Sequence, residues 1–231
     1  MKSIAFVTGG NRGLGLALCE ALSKQGYKVW MGCRNISSGM EIASRVSPNI
    51  AAVEMDVSRP DSVYQAMSNV AKVDSRLDLL INNAGIFPPG DDFPVSQTPS
   101  NLLNTLTVNV VGVHSTIQAA IPLLQKGIKP AIVNISSGFG SLTLNSQWNK
   151  TALSYCTSKA ALNMLSLQWA HTLTPMGINI CMPSPGWMQT SMGHPNGKTP
   201  EEGAAIILES ANLCRQGLNK IFFGENGIIP W

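Results

Sequence analysis

No uninterrupted apolar run long enough to cross a membrane occurs in the sequence, and its start, Met-Lys-Ser-Ile-Ala-Phe-Val, meets Gly9 too soon for a secretory signal. A cytoplasmic protein without a membrane partner is therefore expected. The five cysteines form no CxxC pair and leave one over, which suits reduced thiols better than a disulfide framework. Three histidines lie far apart with no paired ligand spacing, so no metal site is expected. A net charge of +3, from scattered lysines and arginines, is too mild to argue for nucleic acid. With 231 residues, the chain can bury one substantial core and reads as a single domain, 1–231.

What the chain does have is a regular alternation of short apolar strands and amphipathic helices. Strands are expected at Ile4 to Thr8, Tyr27 to Cys33, Ile50 to Met55, Leu77 to Ile81, Ala131 to Ile135 and Ile178 to Met182, with a closing strand near Lys220 to Phe223. Helices lie between them, so the pattern predicts parallel β-α-β units with right-handed crossovers and ligands at the carboxyl ends of the strands. The first such end carries Thr8-Gly9-Gly10-Asn11-Arg12-Gly13-Leu14-Gly15 and then a helix. Glycines there let the backbone approach a phosphate, and the helix N-terminus supplies unpaired N–H groups with partial positive charge. The second strand ends in Cys33-Arg34, where a dinucleotide fold would place an acid on the ribose 2′-hydroxyl. Without the acid, and with Arg12 and Arg34 as two fixed cations, the sequence favours NADP(H) over NAD(H).

Later strand ends carry Asp56-Val57, Asn82-Asn83-Ala84-Gly85, Ser136-Ser137-Gly138 and Pro185-Gly186-Trp187-Met188-Gln189-Thr190. Asn109 interrupts an apolar helical run, a costly choice unless its amide satisfies a backbone irregularity or holds a water. In Tyr155-Cys-Thr-Ser-Lys159 the four-residue offset puts a phenol and an ammonium on one helix face. A unit charge at ~4 Å and an effective dielectric of ~20 contributes roughly 4 kcal/mol, about three pKa units, towards ionising that phenol. The apolar residues Ala160, Leu162, Leu165 and Trp169 suit burial of one side of this helix. Cys156, beside the tyrosine, has no basic partner in sequence and reads as a small helical side chain.

Taken in order, Thr-Gly-x-x-x-Gly-x-Gly, Asn-Asn-Ala-Gly, Asn109, Ser137, Tyr-x-x-x-Lys and Pro-Gly resemble the short-chain dehydrogenase/reductase family over essentially the whole chain. The details Thr-Gly-Gly-Asn-Arg-Gly-Leu-Gly, Cys-Arg-Asn and Pro-Gly-Trp-Met-Gln-Thr are most similar to its carbonyl reductase and C-factor-like branch. The resemblance implies an α/β fold, a Rossmann-type doubly wound parallel sheet in three layers. It also implies hydride transfer between NADP(H) and a ketone or aldehyde, with an alcohol in the reverse direction. Tyr155 would be the general acid and Lys159 its activator and a ribose ligand. Ser137 would hold the substrate oxygen, and Asn109 would anchor a water that relays protons through Lys159.

Gly9, Arg12, Gly13, Leu14, Arg34, Asp56, Val57, Asn83 and Thr190 match positions that touch the cofactor in the family, as do Tyr155 and Lys159. Family members pair long helices into homodimers or homotetramers, which makes the helix bearing Tyr155 the candidate contact. Seventeen residues separate Ser137 from Tyr155, more than is usual in the family, so a loop with Trp148 is expected at the substrate entrance. Trp187, Met192 and His194 are expected at the same edge. Two other functions stay open: a cofactor-binding regulatory protein with little turnover, and a scaffold that isomerises or eliminates.

Overall fold

The computed structural model describes residues 2–148, 151–189 and 195–231. Its frame is one eight-stranded sheet in the order β3-β2-β1-β4-β5-β6-β7-β8. The first seven strands are parallel: β1 (Ile4–Thr8), β2 (Lys28–Cys33), β3 (Ile50–Glu54), β4 (Leu79–Asn82), β5 (Ala131–Asn134), β6 (Asn179–Pro183) and β7 (Ile221–Gly224). The pair Gly227–Ile228, β8, returns antiparallel to β7 and is too short to show as a strand in the sequence.

Both faces of the sheet are covered, which is why its central strands are apolar throughout rather than alternating. Phe6, Leu80, Ile132 and Ile180 meet α3 (Pro60–Val73), α5 (Gly112–Leu124) and α7 (Leu153–Leu173) on one face. Val7, Met31, Ile81 and Val133 meet α1 (Gly13–Lys24), α2 (Ile36–Val46) and α8 (Pro200–Arg215) on the other. The result is the expected Rossmann-type three-layer α/β/α arrangement.

Helix α4 (Pro99–Leu106) runs through a π turn, Thr107–Val111, into α5. By length and composition alone the stretch Pro99–Leu124 is apolar enough to cross a membrane. In the fold, its Ile117, Ala120 and Leu124 are buried in the core. A short helix, α6 (Leu142–Asn145), forms inside the stretch between Ser137 and Tyr155 and was not expected there.

The buried face of α7 differs from the sequence reading. Its inward residues include Ser154, Ser158, Lys159, Asn163 and Ser166, whereas Leu165 and Trp169 are only partly buried. Most of these polar groups find a partner inside: Ser166 accepts from Asn134 Nδ2 at 2.8 Å, and Asn163 accepts from the Ser136 hydroxyl at 2.6 Å, whereas the buried Ser154 hydroxyl has none. These bonds tie α7 to the end of β5 and so fix Lys159 opposite the loop bearing Ser137.

Candidate active site

A cleft of about 1010 Å³ opens along the carboxyl ends of β1, β2, β4, β5 and β6, where the strand order reverses direction. Gly9, Arg12, Gly13, Leu14, Arg34, Asp56, Val57, Asn83, Ser137, Tyr155 and Lys159 all line it. Thr190, Met192 and His194 lie outside the described residues.

At one end the glycine loop forms a bare backbone cradle. Gly9 and Gly13 adopt φ of +63° and +51°, and a Cβ at Gly15 would lie 2.2 Å from the Gly9 carbonyl oxygen and 2.5 Å from Asn83 Nδ2. Arg12 occupies the N-cap of α1 without a side-chain cap bond, so the first amides of the helix face the cleft free of a local side chain. Asn83 holds this turn in place: its Nδ2 donates to the carbonyls of Thr8 and Gly9 at 2.9 and 3.1 Å. Thr8 Oγ1 in turn accepts from the amides of Asn83 and Ala84.

Arg12 and Arg34 are exposed at the rim. Asp56 caps its own turn by accepting from the amide and hydroxyl of Ser58 at 3.0 and 2.7 Å. Burial pushes the Asp56 pKa up, but the Ser58 bonds and the nearby Arg34 and Arg59 outweigh it and leave the carboxyl below its ordinary value.

At the other end stand Tyr155, Ser137 and Lys159. Lys159 is buried and donates from Nζ to the Ile135 carbonyl at 2.7 Å, with Nζ 5.5 Å from the centre of the Tyr155 ring. Burial lowers its pKa from 10.5 to about 8. Tyr155 is pushed up to about 12, chiefly by burial; its bond with the Ser137 hydroxyl pulls the other way. The direction is opposite to the sequence expectation, because desolvation outweighs an ammonium that is turned towards Ile135.

Asn109 lies in the π turn, an irregularity that often marks functional sites. Its amide is fully engaged: Oδ1 accepts from Ile86 N at 2.8 Å, while Nδ2 donates to Ile86 O and Ser158 Oγ, each at 2.9 Å. These bonds join the π turn to the backbone of the loop after β4 and to α7.

Beyond the phenol the cleft is walled by rings. Phe87 lies 4.8 Å from Tyr155, and Phe139 packs edge-on against Tyr155, Trp148 and Trp187. Trp148 and Trp187 border the cleft as expected, whereas Phe87 and Phe139 carry no local sequence signal for it. Cys156 donates to Asn145 Oδ1 at 3.4 Å, and burial with the nearby Asp91 charge raises its pKa to about 11, which suits an inert thiol. Asp91, in the loop after β4, is buried and accepts from the amides of Ser154 and Tyr155; nothing in the sequence marks it.

Known proteins share this fold. The short chain dehydrogenase family model matches residues 3–201. An NADPH-bound carbonyl reductase from chicken fatty liver is 30% identical, with a TM-score of 0.88 over 100% of both chains. The carbonyl reductase Sniffer of D. melanogaster gives 30% and 0.89 over the same full coverage. Salutaridine reductase from Papaver somniferum is 27% identical over 96% of this chain and 94% of its own. A family match of this extent, on a fold that follows these reductases from end to end, makes the chain an oxidoreductase that belongs to the short-chain dehydrogenase/reductase family, on its carbonyl reductase-like side.

Proposed function

We propose that the protein reduces a ketone or aldehyde with NADPH, Tyr155 serving as the proton donor. The observation that carries this reading is one phenol set between a hydroxyl and an ammonium, where the basic end of the cleft meets its ring-lined end. The glycine cradle and the open N-terminus of α1 fit a pyrophosphate, and the lack of a side chain at Gly15 lets the turn close tightly on Gly9 and Asn83. Arg12 and Arg34 suit a 2′-phosphate, Asp56 and Val57 the adenosine, and Asn83 shapes the turn beneath. Thr190 is proposed as a further contact from the resemblance alone. NADPH in the chicken reductase supports the same choice of cofactor.

When bound, the nicotinamide supplies the hydride. The chain's own residues manage the proton and the charge. A phenol held at about 12 is fully protonated near neutral pH and so is ready to donate. An alkoxide is about as basic as hydroxide, whose conjugate acid has a pKa of ~15.7, so the transfer is downhill by roughly 5 kcal/mol. As the phenolate forms, the Lys159 ammonium, 5.5 Å from the centre of its ring, stabilises it by on the order of 3 kcal/mol at an effective dielectric of ~20. Ser137 donates to the substrate oxygen and orients it towards the phenol. Asn109 acts by holding Ile86 and Ser158, and through Ser158 the Tyr155 turn. Phe87, Phe139, Trp148 and Trp187 favour a flat, uncharged substrate.

Incubation with NADPH and a panel of aromatic and aliphatic carbonyl compounds tests this reading. Cofactor consumption matched by alcohol formation is expected. Tight cofactor binding with no consumption would favour a regulatory protein, and product without net consumption would favour isomerisation or elimination.

A further inference from the structure

Helix α7 begins without a cap of its own, since Ala152 offers no side-chain acceptor. Its first amides are satisfied instead by a residue more than sixty positions earlier. The Asp91 carboxylate accepts from Ser154 N and Tyr155 N, each at 2.8 Å, and the Asp91 carbonyl accepts from Leu153 N at 3.1 Å. Asp91 is 1% exposed, and next to it Thr151 donates its hydroxyl to the Asp92 carbonyl at 2.6 Å.

The same loop grips the other side of the tyrosine. Tyr155 O accepts from Ser158 Oγ at 2.8 Å, Ser158 Oγ accepts from Asn109 Nδ2, and Asn109 clasps both backbone groups of Ile86. Phe87, the next residue, lays its ring against the phenol. The segment 86–91 therefore holds Tyr155 by its amide, by its carbonyl through two side chains, and by its ring.

We propose that Asp91 is the positioning residue for Tyr155, fixing from outside the helix the turn that aims the phenol into the cleft. A buried carboxylate is costly unless it is hydrogen-bonded, and two helix-terminal amides with their partial positive charge, one on each oxygen, meet that need. A serine, threonine or aspartate at position 152 would cap the helix as well. Only a residue on the loop that also carries Ile86 and Phe87 ties the orientation of the proton donor to the wall of the substrate site.

This inference rests on the reading of Tyr155 as proton donor, and the test separates the two. Turnover and NADPH dissociation constants are measured for the wild type, Asp91→Ala, Asp91→Asn, the exposed neighbour Asp92→Asn, Tyr155→Phe, and Asp91→Ala combined with Tyr155→Phe. Asp91→Ala is expected to lower kcat about ten- to hundredfold, the cost of a misplaced reacting group, while NADPH binding stays within about twofold. Asp91→Asn, whose carbonyl oxygen still accepts one of the two amides while its NH2 meets the other donor, recovers part of the loss, and Asp92→Asn changes nothing. In the Tyr155→Phe background, removing Asp91 costs no further turnover, because the residue acts through the phenol. An unchanged kcat in Asp91→Ala, a loss of the same size in the Tyr155→Phe background, or a parallel collapse of NADPH binding would overturn the proposal. Undiminished turnover in Tyr155→Phe alone would instead overturn the reading of the proton donor.

Discussion

Replacing Lys159 with methionine isolates the energetic cost of placing an ammonium under the active site. The side chain is buried, and its pKa falls from 10.5 to about 8 because burial disfavours the charged form. A shift of about 2.5 units corresponds to about 3 kcal/mol of lost stability when the group is protonated in both folded and unfolded states. The folded pKa is depressed, so between about 8 and 10.5 the unfolded chain binds more protons than the folded one, and stability rises with pH. The penalty is thus complete below the folded pKa and gone above the unfolded one.

Methionine carries no charge, but it leaves the Ile135 carbonyl without its donor, a pH-independent loss of about 1–3 kcal/mol. The two proteins should therefore be similar in stability near pH ~7. The wild type should gain about 2 kcal/mol on the variant by pH ~9.5. Urea unfolding of both proteins across this range measures the difference, in which titrations common to both cancel. Parallel profiles would show that Lys159 titrates alike folded and unfolded, and would remove the argument that its charge is held at a cost for the sake of the phenol.

Other perturbations follow from the same geometry. Arg34→Asp should weaken NADPH by roughly ten- to hundredfold, the worth of a charge-assisted bond, and NADH far less; equal losses by titration would remove the 2′-phosphate argument. Gly15→Ala would force the Gly9 carbonyl and Asn83 apart, so thermal unfolding should show a loss of about 1–3 kcal/mol together with weakened cofactor binding. Asn109→Ala removes three hydrogen bonds around Ile86 and Ser158 and should cost roughly 2–3 kcal/mol by denaturant titration, with kcat falling more than NADPH affinity.

Much of the fold and of the glycine-loop end of the cleft was legible because those signals are local. A glycine that must accept close backbone, an apolar strand and a helix start are written within a few residues, and Gly9, Gly13 and Gly15 sit where that logic puts them. Tyr155 and Lys159 likewise share a face by helical spacing alone. What stayed hidden depends on partners brought from afar. The inward face of α7 reads as polar because Ser158, Asn163 and Ser166 meet Asn109, Ser136 and Asn134, pairs that periodicity does not reveal. Asp91 looks like any loop aspartate until its carboxylate is seen on the Tyr155 amide. The direction of the Tyr155 pKa shift is hidden for a related reason: helical spacing supplies the lysine, but not the burial around the phenol or the turn of Nζ towards Ile135.

The most direct test of the central claim is single-turnover oxidation of prebound NADPH by a carbonyl substrate in the wild type and in Tyr155→Phe. Phenylalanine keeps the ring packing with Phe87 and Phe139 and removes only the donor. Unchanged NADPH binding is expected, with a rate lower by roughly 10²–10⁴-fold, the usual worth of a positioned acid. A variant that binds NADPH and reduces the substrate at the wild-type rate would contradict it.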